Sequence, residues 1–118
     1  MNLKDYMAFC DQWLAAWTGN RPDYLLSFYS ENAYYQDPAY FKGLRGHQEI
    51  LAYFTKLLAK NPDWRWEREE IFASEKGFIL KWRASISGKK IIYGLDIVEV
   101  INDKITRNEV YFDTALLR

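Results

Sequence analysis

The sequence predicts an α+β fold in which helices cover one face of a curved antiparallel sheet. Two observations carry this: three stretches with apolar residues at helical spacing precede Pro62, and beyond it the period drops to two, with short turn signals between four strand-like runs. In the first stretch, Leu3, Tyr6, Met7, Cys10, Trp13, Leu14 and Trp17 line one face of a helix over 3–18, which Gly19 ends. Arg21-Pro22-Asp23 opens a shorter helix carrying Leu25, Leu26, Phe28 and Tyr29, and Ser30-Glu31-Asn32 closes it. Ala33-Tyr34-Tyr35-Gln36 reads as a short strand stopped by Asp37-Pro38, because proline has no amide hydrogen for a ladder. A loop through Gly43 and Gly46 follows. Ile50, Leu51, Phe54, Leu57 and Leu58 then mark a third helix from about His47 to Lys60, halted by Asn61-Pro62.

In the second half, Trp64, Trp66, Arg68 and Phe72 share one strand face, and Phe78, Leu80, Trp82, Ala84 and Ile86 share the next. Glu75-Lys76-Gly77 and Ser87-Gly88-Lys89 supply turns. The run Ile91 to Ile101 is apolar on both faces, and Asn102-Asp103-Lys104 turns it into a last strand ending near Asp113, which completes an antiparallel meander. No repeat, linker or low-complexity stretch divides the 118 residues, so a single domain spanning 1–118 is expected.

Composition narrows the function classes. Sixteen basic residues balance sixteen acidic ones, six against six through residue 60 and ten against ten beyond it, so no basic footprint for nucleic acid or an anionic membrane is present. One cysteine, Cys10, and one histidine, His47, leave neither an intrachain disulfide nor the usual zinc ligand set. The N-terminus carries Asp5 among its apolar residues and lacks the pattern of a signal peptide, and no apolar run is long enough for a membrane span; the cytoplasm is the expected compartment. Aromatic residues reach 18%, enough that some are expected to line a cavity or an interface.

Asp96 is the most informative residue. It shares strand parity with Ile92, Gly94, Val98 and Val100, which projects a carboxylate from an apolar face. Such a group either pairs with a Lys or Arg at a strand edge or holds a proton through a raised pKa, as carboxyls at functional sites do. Asp37, before Pro38, either caps the following turn or acts as a base among the rings of Tyr34 and Tyr35. Trp13 and Trp17 form a core-packing stripe one turn apart, His47 sits at a solvated helix start, and Cys10 is a small core residue. Arg68 reaches inward, pairs with a carboxylate or extends along the rim.

The order of elements, together with Phe28-Tyr29-Ser30-Glu31-Asn32-Ala33-Tyr34-Tyr35-Gln36-Asp37-Pro38, Gly46-His47-Gln48-Glu49-Ile50 and Gly94-Leu95-Asp96, resembles the nuclear transport factor 2-like superfamily, in its SnoaL-like and ketosteroid-isomerase-like branch. The resemblance spans nearly the whole chain. It implies a cone-shaped barrel whose curved sheet wraps the first helix around a deep apolar pocket, with homodimers forming through the outer sheet face. It also implies cofactor-independent acid–base chemistry on a small hydrophobic carbonyl compound, by an isomerase or aldol-type cyclase.

Carried over by position from ketosteroid isomerases, the general base falls on Asp37, the protonated oxyanion-hole aspartate on Asp96 and the oxyanion-hole tyrosine on Trp13. Of two supporting tyrosines, one is kept as Tyr29 and the other becomes Phe54. The ligand is expected among Trp17, Tyr29, Tyr35, Phe54, Trp66, Trp82, Val98, Asn108, Val110 and Phe112. In SnoaL-type cyclases one buried aspartate serves as both acid and base, a role open to Asp37 or Asp96. The Asp-Arg-Asp set of limonene epoxide hydrolases is broken here by Gly94 and Val110, and one His47 cannot supply the histidines of scytalone-dehydratase-like chemistry. The alternative within the same fold is a non-catalytic ligand-binding or dimeric accessory module.

Overall fold

The computed structural model describes residues 1–86 and 90–114. Its first helix, α1 (Leu3–Ala15), starts on a reciprocal cap: the Asn2 side chain accepts from the Asp5 amide at 2.9 Å, and the Asp5 carboxylate accepts from the Asn2 amide at 3.1 Å. The helix ends three residues sooner than its apolar stripe suggests. Trp17 lies in the turn beyond it, still packed edge-on against Trp13 at 6.2 Å. Pro22 opens the short α2 (Pro22–Leu26) at a position that needs no amide hydrogen.

Strand β1 (Tyr29–Asp37) takes in Ser30, Glu31 and Asn32, expected to close a helix, together with the short strand expected over 33–36. The stretch expected as a loop is largely a strand, β2 (Tyr40–Arg45), antiparallel to β1 with Tyr35 opposite Leu44. Its side chains are exposed or half-buried throughout, so no alternation marks it in the sequence. Helix α3 (His47–Lys60) follows and buries Ile50, Phe54 and Leu58.

Strands β3 (Arg65–Ala73), β4 (Gly77–Ile86), β5 (Lys90–Ile101) and β6 (Lys104–Phe112) form the expected meander. The expected turn Ser87-Gly88-Lys89 lies outside the described residues. Parity holds along β4, but a register shift between Arg68 and Glu70 interrupts β3. Ile71 therefore packs on the core, whereas Phe72, expected inside, is 51% exposed.

The sheet has the order β2-β1-β6-β5-β4-β3, with β1 and β6 parallel. It curves without closing, so β2 and β3 remain edges and the expected barrel is an open one. Arg68 of β3 pairs with Asp11 of α1 at 2.9 and 3.0 Å, which ties the helix across the rim. Tyr6, Cys10, Phe78, Leu80, Val98 and Ile105 belong to the buried core beneath the helices. Burial pushes the Cys10 thiol up to about 12, which makes it an inert core residue. Among the described residues no helix is long and apolar enough to cross a membrane.

Candidate functional site

Inward positions of β4 and β5, facing α1, α3 and the turn after α1, enclose a cavity of about 530 Å³. Its floor carries Asp96, which is 4% exposed. No cation among the described residues pairs with it: Trp82 Nε1–H donates to Oδ1 at 2.6 Å and Asn108 Nδ2–H to Oδ2 at 2.9 Å. Burial pushes the Asp96 carboxyl up to about 7; the bonds from Asn108 and Trp82 pull it down, and the charge of Asp37 adds a further push.

The Asn108 bond extends backward into the core. Trp13 Nε1–H donates to the Tyr29 hydroxyl at 3.2 Å, which donates in turn to Asn108 Oδ1 at 2.8 Å. A directed chain thus runs from α1 through β1 and β6 to the carboxyl on β5. Parallel pairing of β1 with β6 makes it possible, because it sets Tyr29 and Tyr35 beside the strand that holds Asn108. Full burial raises the Tyr29 hydroxyl well above its ordinary pKa, so it acts as a neutral link.

Asp37 lines the same cavity and is 6% exposed. Its Oδ1 accepts from the amides of Ala39 and Tyr40 at 2.9 and 3.1 Å, and its Oδ2 accepts from the hydroxyls of Tyr35 and Tyr53 at 2.8 and 2.5 Å. The turn cap and the pocket carboxylate are therefore one residue, with all four acceptor positions in use. The remaining wall mixes aliphatic side chains with a run of aromatic rings: Trp17 meets Trp66 at 5.9 Å, and Trp66 meets Trp82 edge-on at 4.6 Å. The described lining includes no Lys, Arg or His.

A family model described as the SnoaL-like domain matches residues 10–108. The chain belongs to the SnoaL-like family. A SnoaL-like protein of unknown function from Burkholderia thailandensis superposes with a TM-score of 0.82 at 19% identity, covering 96% of this chain and 98% of that one. A protein described as a SnoaL-like polyketide cyclase, from Shewanella putrefaciens, gives 0.80 at 12% identity over 96% and 82% of the two chains. A protein with a ketosteroid isomerase-like fold from Catenulispora acidiphila, crystallised with trimethylamine, gives 0.75 at 17% identity over 89% and 85%. At these identities the likeness is one of fold. No curated protein matches the chain.

In this SnoaL-like domain Trp17, Tyr35, Trp66, Trp82, Val110 and Phe112 line the cavity, together with Asp37, Asp96 and Trp13. Tyr29, Phe54, Val98 and Asn108, also expected against the ligand, belong to the layer beneath the cavity, each at most 1% exposed. Val98 is one inward position along β5 from Asp96, already among packed side chains. Trp13, expected to donate to the reacting oxygen, gives its N–H to Tyr29 and reaches Asp96 only through two intermediaries. His47 Nε2 lies 2.8 Å from the Tyr29 carbonyl oxygen, which fits an N–H anchoring the start of β1. Sequence reasoning missed Tyr53, Leu57, Asn61 and Trp64 as lining residues. Tyr53 stands three positions after Ile50 and four before Leu57, so a wider reading of the α3 stripe would have found it.

Proposed function

We propose that the domain is a cofactor-independent acid–base enzyme acting on a small, neutral, largely apolar carbonyl compound, as an isomerase or an aldol-type cyclase. The reading rests on one observation: two buried carboxyl groups with contrasting surroundings share a cavity whose described lining has no cation. Such contrast is how acid and base roles are divided at neutral pH. Asp96, protonated in its apolar setting, donates its O–H to the substrate carbonyl and stabilises the oxygen as negative charge develops there. Asp37, acceptor on both oxygens, removes the proton from the adjacent carbon. The electron pair of that C–H bond becomes the enolate double bond. The proton then returns to a different carbon, which isomerises the substrate, or the enolate carbon attacks a second carbonyl, which closes a ring. For the base to act, one of its four donors must yield. Tyr53 is the one free to do so, since Tyr35 is fully buried and the other two are backbone amides.

Solvent deuterium exchange at the α-carbons of a panel of apolar ketones, followed by NMR, tests this without knowledge of the product. Native protein is expected to catalyse exchange, and Asp37→Asn and Asp96→Asn to lose it by about a hundredfold or more, the scale of general acid–base contributions. Exchange no faster than in buffer across the panel would overturn the reading.

A second reading, a ligand-binding module without chemistry, is favoured by the full set of donors on Asp37 and by the internal use of the Trp13 N–H. The trimethylamine held by the Catenulispora protein supplies a probe for it. Micromolar binding of an apolar amine together with absent exchange would establish the module.

A further inference from the structure

Two tryptophans of the cavity wall have indole N–H groups that the fold leaves without a partner. Trp13 and Trp82 spend theirs on Tyr29 and Asp96. The Nε1 atoms of Trp64 and Trp66 are buried and bond to nothing among the described residues, and both residues line the cavity. A buried donor without an acceptor costs about 1–3 kcal/mol, so two such donors on neighbouring rings need a reason. The backbones of both residues are anchored. The Trp64 amide donates to the Asn61 carbonyl at 3.3 Å, and its own carbonyl accepts from the Thr18 hydroxyl. Trp66 sits in the ladder opposite Ala84 of β4. The rings of Trp64 and Trp66 meet edge-on at 5.4 Å, and Trp66 meets Trp82 at 4.6 Å. Trp66 pairs with Ala84 of β4 and Asp96 with Leu80, so the two residues flank β4 from opposite sides, four positions apart along it, with Trp82 between them.

We infer that Trp64 and Trp66 form a second hydrogen-bonding subsite, which receives an oxygen acceptor at the end of the ligand opposite the oxygen held at Asp96. The ligand is then a neutral compound with two oxygen functions separated by an apolar body, of the dicarbonyl or hydroxycarbonyl class. A carboxylate or phosphate is disfavoured by the same wall, which offers two aspartates and, among its described residues, no cation. The inference deepens the proposed function and rests on it only for the place of the first oxygen. It also assigns these two residues a part in specificity. A site built to donate to an oxygen discriminates against an analogue that lacks it, because the donors are then left unmatched.

The indole N–H resonances of nitrogen-15-labelled protein report on this directly, with Trp64→Phe and Trp66→Phe assigning the two signals. Cyclohexane-1,4-dione, cyclohexanone, methylcyclohexane and tetramethylammonium are titrated in turn, small enough to sample the whole cavity. The dione is expected to move both signals downfield and to bind about tenfold more tightly than cyclohexanone, the advantage vanishing in the double Trp→Phe variant. Signals that stay put with up to 100 mM dione, about the weakest binding of interest, would overturn the subsite. So would equal shifts with methylcyclohexane, or tighter binding of tetramethylammonium than of the dione. Deuterium exchange into the dione, read in the same samples, separates the two ideas. Indole shifts without exchange sink the enzyme and keep the subsite; exchange without indole shifts does the reverse.

Discussion

Asp96 shows how far a single residue can be read from its neighbours. Strand parity alone sets it on an apolar face, and the structure puts it there, 4% exposed, with donors on both oxygens and no cation among the described residues. The linkage to stability follows from burial. Its carboxyl is pushed up to about 7 from 3.8, so between those values the folded state holds a proton that the unfolded state has released. Stability is then greatest below about pH 4 for this group, falls as pH rises, and levels off above about pH 7, a loss of order 4 kcal/mol. Asp96→Asn is expected to abolish that downward slope in urea unfolding measured from pH 4 to 8 and to exceed the native protein in stability at pH 8. An unchanged slope in the variant would show that Asp96 titrates normally. What the sequence does not show at this scale is partnership. Asn108, Tyr29 and Trp13 are far apart in the chain and meet only because β1 and β6 run parallel, a pairing that no local pattern encodes.

At the scale of elements, legibility follows the strength of the period. Helix α3 and strands β4 and β5 each bury one defined face, so the period marks Ile50, Phe54 and Leu58, Phe78, Leu80, Trp82 and Ala84, and Asp96 as inward, while Tyr53, on the flank of the α3 stripe, escapes it. Strand β2 is an edge with no buried side chain, so its sequence carries no mark that separates it from a loop. The register shift in β3 exchanges Ile71 for Phe72, a change that one extra residue produces without any compositional mark. Gly43, read as a loop glycine, is instead where the edge strand accommodates the Tyr34 ring. Its φ is +85°, and a Cβ there would fall 2.3–2.5 Å from Tyr34 ring and hydroxyl atoms. Gly43→Ala is expected to cost about 2–3 kcal/mol, in the range of strained, overpacked substitutions. In a Tyr34→Ala background only the backbone part, about 1 kcal/mol, should remain. Equal costs in both backgrounds, by urea unfolding of the four proteins, would show that the Tyr34 ring is not the obstacle.

Over the whole molecule, the two faces of the sheet divide the work. The inner face holds the core and the cavity. The outer face presents Phe72, Ile79, Ile91, Tyr93, Leu95 and Tyr111, each 38–54% exposed, with Ile79 opposite Ile97 and Leu95 opposite Tyr111 in register. Ion pairs border this surface, Lys81 with Glu70 at 3.7 Å and Arg83 with Glu67 at 3.2 Å. A concentration of large apolar side chains rimmed by charge is the pattern of an interaction surface, and an open sheet face suits a symmetric pairing of identical copies. A homodimer through this face is therefore expected in solution. Sedimentation at micromolar concentration should find twice the 14.1 kDa of one chain, and Leu95→Glu should halve it. Because Leu95 and Asp96 are consecutive on β5 they face opposite ways, so the monomeric variant should keep the ligand affinity of the native protein. A native protein that sediments as a monomer at 100 µM, about the ceiling for an interface of any consequence, would end the expectation. A Leu95→Glu variant that is monomeric and has lost ligand binding would instead show that dimerisation holds the cavity in shape from behind.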